Sequence, residues 1–498
     1  MKLCRQSGVL LHPTSLPGAG GIGCLGAEAY AFVDFLAETG QSVWQILPLS
    51  PTGYGDSPYS AFSAFAGNPL LVSLDRLVEA GDLDADDIAA ISMPEGEAHF
   101  GFVHGLKGRL LHKAAQRFFS GGAPERRQAY GEFQLQQGYW LNDYALFRGL
   151  RQHFGDAPWN RWPVEVRQRE PQALRHWGET LAEAISFHKY AQFVFFEQWF
   201  ALKEYAGSQK IQILGDIPIY VAFDSVDVWA NPGLFYLDRE LQPTLVAGVP
   251  PDYFSATGQL WGNPMYRWER MAEQGFSWWL ARFRWNLVQA DLVRIDHFRG
   301  FEACWAVDAG EKTAINGSWL PVPGDRLFQT LQQALGQMPI VAEDLGLITP
   351  EVEALRDRFE FPGMKVLQFA FGSGPANPYL PHNLPPRSVV YTGTHDNDTT
   401  LGWWDALSRP EREAVREYLG SSGRDIPWEL IRTAMASVSQ LCIIPLQDLL
   451  SLGSEARMNT PGRPGQNWHW RFRPHALTPE IRQRLTRMTE LYGRQRCR

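Results

Sequence analysis

Four clusters of ionisable residues stand out because each closes a short apolar run. They are Gly-Asp216-Ile-Pro, Arg294-Ile-Asp296-His297, Glu343-Asp344 and Thr394-His395-Asp396-Asn397-Asp398. Carboxylates brought to one place from different elements can supply both a nucleophile and a general acid. A strand-end Asp can also simply cap the next helix. Four such ends together argue against capping at all of them. Arg294 and Asp296 are two apart, so on a strand they share a face, and a guanidinium there favours the ionised carboxylate that a nucleophile needs. The competing reading is a structural ion pair. Glu343 and Asp344 are adjacent, so a regular strand turns only one of them inward, and periodicity leaves the choice open.

Other chemistries find little support. None of the twelve His forms an HxH pair; His297 and His395 each stand alone beside an Asp and read as hydrogen-bond donors, so no metal site is expected. The Gly-rich stretch 18–26 lacks the Lys-Ser/Thr of a phosphate loop, and there is no GxSxG elbow.

Two loops add a binding surface. Gly53-Tyr54-Gly55-Asp56-Ser57-Pro58-Tyr59-Ser60 follows the second apolar run. Pro250-Pro251-Asp252-Tyr253-Phe254-Ser255-Ala256-Thr257-Gly258-Gln259-Leu260-Trp261-Gly262-Asn263-Pro264 follows the third. Tyr54, Ser57, Tyr59, Tyr253, Phe254, Gln259 and Trp261 combine flat apolar faces with hydrogen-bonding groups, which is what a sugar ring demands. Anchoring of long loops to the body is the plainer alternative.

The elements that must position these groups are eight apolar runs rich in β-branched residues, at 9–12, 43–49, 211–219, 292–296, 340–344, 365–370, 388–392 and 441–445. Such runs suit parallel strands buried on both faces. Amphipathic stretches, for example 27–39 and 350–358, lie between several of them, and strand–helix alternation repeated eight times predicts an α/β protein built on a (β/α)₈ barrel. Two Rossmann-like halves are the rival architecture, but no GxGxxG opens a helix. The gap after the second run contains helical patterns at 133–153 and 180–205, which predicts a large helical insertion spanning 75–205. The stretch 223–275, rich in Pro, Gly, Asn and aromatics, reads as a loop-rich insertion after the third strand, before a helix bearing Trp278, Trp279, Phe283 and Trp285. Residues 1–498 are read as one decorated barrel; nothing after Leu452 suggests a further domain such as a C-terminal β-sandwich.

Composition agrees. The chain is 45% hydrophobic and 20% charged, enough for a large core. Its net charge of −8, with no basic stripe, argues against nucleic acid and anionic membranes as partners. The five Cys (Cys4, Cys24, Cys304, Cys442 and Cys497) are scattered, as in a reduced cytoplasmic protein. No apolar segment follows the basic residues of the start, and none is long enough to span a bilayer, so neither a signal peptide nor a membrane helix is expected.

The motifs Gly-Asp216-Ile-Pro-Ile-Tyr-Val, Arg294-Ile-Asp296-His297-Phe-Arg-Gly, Ala-Glu343-Asp344-Leu-Gly and Gly-Thr-His395-Asp396-Asn-Asp-Thr resemble those of the 4-α-glucanotransferases (amylomaltases or disproportionating enzymes), glycoside hydrolase family 77 of the α-amylase clan. The opening Leu10-Leu-His-Pro-Thr-Ser-Leu-Pro-Gly18, both aromatic loops and Arg457-Met-Asn459-Thr-Pro-Gly462 are similar too, in the same order along the chain. One departure is Gly23-Cys24-Leu25-Gly26, where the family commonly reads Gly-Asp-Leu-Gly; a weaker helix cap is expected there. The resemblance implies Asp296 as nucleophile, Glu343 as acid/base and Asp396 as the third carboxylate, and so selects Glu343 over Asp344. It further implies that Tyr59, Asp216, Arg294 and His395 line the sugar subsite at the cleavage point, and that Gln259, Trp261 and Asn459 touch neighbouring glucose units.

The activity so implied is transfer of α-1,4-glucan segments by a retaining double displacement without a cofactor. Malto-oligosaccharides and α-1,4-glucans would act as donor and acceptor, and glucose as acceptor; no oligomer is implied. An α-glucan hydrolase on the same barrel and a non-catalytic glucan-binding protein are the alternatives. A binding protein would be expected to have lost a carboxylate, and all three are present.

Overall fold

The computed structural model describes residues 5–251, 255–463 and 465–495. Tyr253 and Phe254, the side chain of Tyr54, and Cys4 and Cys497 lie outside the described residues. Twelve strands are formed among them: β1 (Gln6–Leu10), β2 (Val43–Gln45), β3 (Gln212–Ile217), β4 (Leu245–Val249), β5 (Gln259–Pro264), β6 (Leu292–Ile295), β7 (Ala303–Asp308), β8 (Gly317–Pro321), β9 (Ile340–Ala342), β10 (Gly363–Val366), β11 (Ser388–Tyr391) and β12 (Leu441–Pro445).

Eight of them close a parallel barrel in the order β1-β12-β11-β10-β9-β6-β3-β2. These are the eight apolar runs. Every residue of β1, β2, β6, β9, β11 and β12 is buried, because side chains fill the barrel on one face and helices cover the other. The closing seam pairs β1 with β12 from Gln6↔Leu441 to Leu10↔Pro445. Arg494, fully buried, seals the seam from below by donating to the carbonyls of Gln6, Met435 and Gln440.

Several boundaries differ from the sequence expectation: β2, β3 and β9 stop at Gln45, Ile217 and Ala342, short of the runs read for them, and two strands are shifted toward the N-terminus. β1 starts earlier, at Gln6, because its polar and small residues are buried by contact rather than by character. A Cβ on Gly8 would come within 2.3 Å of the Val43 carbonyl oxygen, so only glycine lets β1 and β2 approach there. The sixth barrel strand starts at Gly363 and stops at Val366, where a 3₁₀ turn (Leu367–Phe369) takes over.

Between β2 and β3 the chain forms the helices Phe100–Gly121, Pro124–His153, Pro171–Thr180 and Ala182–Ser208. Aromatic rings from Pro124–His153, Ala182–Ser208 and Ser277–Gln289 interlock through Trp140, Phe196 and Trp285. The stretch read as loop-rich also contains β4 and β5. They join β7 and β8, from the segment after β6, in a four-stranded antiparallel sheet of order β5-β4-β7-β8.

Helix Ala27–Glu38 buries Phe32, Val33, Phe35 and Leu36. Its N-cap is Gly26, which offers no side-chain acceptor. No helix among the described residues is long and apolar enough to cross a membrane.

Candidate active site

The barrel strands deliver their terminal side chains to one mouth. Asp216 on β3 pairs in register with Arg294 on β6, so the two meet inside the barrel. Arg294 Nη1 donates to both oxygens of Asp216, at 2.9 and 2.7 Å, and its Nη2 donates to Asp296 Oδ1 at 2.8 Å. The two-residue spacing on β6 therefore does put guanidinium and carboxylate side by side. Tyr59 closes the chain by donating its hydroxyl to Asp216 Oδ2 at 2.6 Å. Burial raises the Tyr59 phenol well above its ordinary value, so it stays a donor. The Arg294 and Asp216 side chains are 4% and 0% exposed, whereas that of Asp296 is 30% exposed and opens to the mouth.

Glu343 follows β9. Its Oε2 accepts from the His297 amide at 2.7 Å and its Oε1 from the Leu345 amide at 2.9 Å. Burial, with Asp296 adding to it, raises this carboxyl from 4.5 to about 7, and Arg294 opposes the rise. His297 reaches Glu343 only by adopting a left-handed backbone (φ 52°, ψ 52°), which costs a non-glycine residue on the order of 1 kcal/mol. Its imidazole is held near neutral, pKa about 4, by burial.

Asp344 points the other way. It accepts from the Met364 amide on β10 at 2.7 Å and from Arg356. Arg356 lies in the last turn of helix Pro350–Arg358, which directly follows this strand. With its side chain 1% exposed, Asp344 is structural.

A further carboxylate, Asp396, comes from the loop after β11. Asp396 Oδ1 accepts from Asn459 Nδ2 at 2.6 Å and lies 3.4 Å from His395 Nε2. Arg457 donates to the carbonyls of Asp396 and Asn459, both at 2.7 Å, and stitches this loop to the one after β12. Asp448 fastens both ends of the Asp396 loop: it accepts from Thr392 Oγ1 and from the amide and hydroxyl of Thr400. The Asp396 side chain is 44% exposed. The ring of Tyr59 stacks on His395 at 5.2 Å and 10°, which draws the second-strand loop against the seventh. Ser57 turns its hydroxyl to the Tyr59 amide at 3.2 Å.

On the other rim, Gln259 and Trp261 project from β5. Trp261 Nε1 donates to Gln259 Oε1 at 3.2 Å, and its ring meets His297 edge-on at 4.8 Å and 82°. At 38% exposure the indole keeps an open surface.

The structure thus brings Asp216, Arg294, Asp296 and Tyr59 into one hydrogen-bonded chain, sets Glu343 on the next strand, and joins His395, Asp396 and Asn459 into a second group. Arg457, Asp448 and the His297 amide support the site without having been singled out for it. Arg457 sits in the motif quoted for Asn459; the left-handed turn at His297 has no sequence signal. No cluster of three metal-ligating side chains occurs among the described residues.

A (β/α)₈ barrel with carboxylates at successive strand ends and aromatics on the rim defines an enzyme fold with the groups that retaining glycoside chemistry uses. Comparison with known proteins narrows the class. The family model described as 4-alpha-glucanotransferase, glycoside hydrolase family 77, matches residues 11–478, and the chain belongs to that family. A 4-alpha-glucanotransferase of Thermus thermophilus is 52% identical, with 98% of this chain and 99% of the relative covered. One from Synechocystis is also 52% identical, with 98% of both chains covered. The structure of the Streptococcus agalactiae amylomaltase, in complex with acarbose, superposes with a TM-score of 0.96 at 42% identity, covering 99% of this chain and all of that one. The chain is thus an enzyme of the glycosyl-transferring kind that this family name describes.

Proposed function

We propose that Asp296 is the nucleophile of this transfer, Glu343 the general acid and base, and Asp396 the third carboxylate. The observation that carries the reading is the unequal setting of the first two. Asp296 faces the mouth against the fixed charge of Arg294, whereas Glu343 has backbone amides as hydrogen-bond partners and a pKa raised by burial to about 7. Two carboxyls in settings this unequal divide the roles of nucleophile and acid. Glu343 protonates the departing glycosidic oxygen while Asp296 attacks the anomeric carbon. A sugar hydroxyl then opens the glucosyl ester as Glu343, now ionised, takes its proton. Asp396, steered by Asn459 and His395, holds hydroxyls of the distorted ring.

In the same reading Tyr59, Asp216, Arg294 and His395 form the wall of the cleavage subsite. Gln259, Trp261, Asn459, Ser57, Tyr54, Tyr253 and Phe254 serve the neighbouring glucose units. Malto-oligosaccharides and α-1,4-glucans are donor and acceptor, glucose is an acceptor, and no cofactor takes part. Neither nucleic acid nor membrane is a partner, and the enzyme works in the cytoplasm. Residues 1–498 are one decorated barrel, with 75–205 and 223–275 as its insertions, a division supported by the helices after β2 and by the excursion of β4 and β5 from the barrel.

Incubation with pure maltotriose tests the transfer. A ladder of longer oligomers plus glucose, at a constant number of reducing ends, is expected. Only shorter sugars, with reducing ends rising as bonds break, would favour the hydrolase reading.

A further inference from the structure

The four-stranded sheet that carries Gln259 and Trp261 on β5 continues through β4 and β7 to β8. At the usual strand spacing, three steps set β8 about 14 Å from β5. There Trp319 is 37% exposed. The guanidinium of Arg299 lies over one face of its ring, 3.7 Å from the centroid, and Trp305 meets it edge-on at 5.1 Å and 64°. Trp305 is fixed by donating Nε1 to the Ala314 carbonyl at 2.8 Å. Arg299 covers one face of Trp319, so the open surface of the ring lies outside that covered face.

The setting ties this ring to the catalytic strands. Arg299 belongs to the 3₁₀ turn Phe298–Phe301, which begins two residues after Asp296, and its Nη1 donates to the Leu347 carbonyl at 2.8 Å. Leu347 follows Glu343 by four residues, just past Gly346, and is 61% exposed. A flat apolar face is thus held rigid from behind and bolted to the loops that leave β6 and β9. A cation stacked on the covered face fixes the ring and leaves the open face apolar, a surface suited to the C–H face of a pyranose rather than to an anion.

We propose that Trp319, backed by Arg299, is a binding platform for the stretch of a long α-1,4-glucan that extends beyond the units at the reacting bond. This rests on the glucan-transfer reading and adds to it a contact that only long chains reach. It distinguishes polymer from oligosaccharide without touching the reacting centre.

The test compares wild type, Trp319→Ala and Trp319→Phe on maltotriose and on amylose. Loss of one stacking contact should raise KM for amylose roughly three- to tenfold in Trp319→Ala with kcat unchanged. Maltotriose kinetics should stay the same, and Trp319→Phe should recover most of the loss. Calorimetric titration of amylose into Glu343→Gln and into Glu343→Gln/Trp319→Ala, which do not turn over, should show the same weakening. An unchanged amylose KM, or an equal loss on both substrates, would overturn the platform. So would self-association of the wild type that Trp319→Ala abolishes while amylose binding is unaffected, since the face would then serve a second copy of the chain. Failure of the wild type to build a ladder from maltotriose would instead overturn the transfer reading.

Discussion

The burial-raised pKa of Glu343 has a consequence for stability that can be measured apart from catalysis. A carboxyl at about 7 in the folded chain and about 4.5 in the unfolded one binds more protons when folded. Stability then falls as pH rises through the window from about 4.5 to about 7 and is level above it. The full difference of some 2.5 pKa units corresponds to about 3 kcal/mol. Glu343 keeps some contact with solvent at the mouth, which trims the figure to about 2 kcal/mol. Glu343→Gln has nothing to titrate. It does lose one acceptor, because the amide cannot receive both the His297 and the Leu345 N–H. That penalty is the same at every pH and drops out of the comparison. The expected outcome is a variant that gains on wild type by about 2 kcal/mol between pH 4.5 and pH 7.5. In a chain of this length that is a relative rise in Tm of roughly 2 °C. Paired thermal melts across the pH series, at one scan rate and ionic strength, measure it. Parallel curves for the two proteins would refute the argument that burial has displaced this proton equilibrium, and with it the basis for making Glu343 the acid.

Three further outcomes are expected. With a donor carrying a good leaving group, Glu343→Gln should accumulate a glucosyl ester, and peptide mass spectrometry should find it on Asp296; an adduct elsewhere, or inversion at the anomeric carbon, would remove the nucleophile role. Water at about 55 M outnumbers a few-millimolar sugar roughly 10⁴-fold, so transfer needs a bias of about 5–6 kcal/mol in how the ester partitions. Trp261→Ala should therefore raise the ratio of hydrolysis to transfer while ester formation survives, whereas a parallel fall of both activities would limit Trp261 to donor binding. Cys24 lies near two buried cations, Lys107 and Arg471, each lowered in pKa chiefly by burial; Cys24→Asp should lift Tm by at least 1 °C, and a lower Tm would show that the desolvation of the new carboxylate outweighs its pairing.

The barrel was legible because parallel strands buried on both faces must be continuously apolar, and eight such runs have few other uses. The positions of Arg294 and Asp296 were legible for the same reason that strands are pleated, two residues per repeat. Glu343 and Asp344 were not separable by that rule, since their orientation depends on Arg356 and the Met364 amide reaching in from the next helix and strand. The four-stranded sheet escaped notice because β8 reads Gly-Ser-Trp-Leu-Pro and β5 lies among glycines and prolines, with no alternation to mark either. Gly8 and the buried Gln6 and Ser7 disguised the start of β1, as their burial follows from close packing with β2 and β12 rather than from hydrophobicity. Pairing of Asn459 with Asp396 joins two loops distant in the chain, and nothing local to either encodes the other.

The seam between β1 and β12 also sets the timetable of synthesis. The first strand made waits for the last, since Gln6 has no partner on its outer edge until Leu441 arrives. At ribosomal rates of about 5–20 residues per second, that edge stays open for roughly 20–90 s, until after the segments bearing Asp216, Asp296, Glu343 and Asp396 have been made. An unpaired parallel edge is a template for other chains as much as for its own. A nascent chain that already holds these four carboxylates is still an open sheet, its β1 edge unpaired until β12 is made.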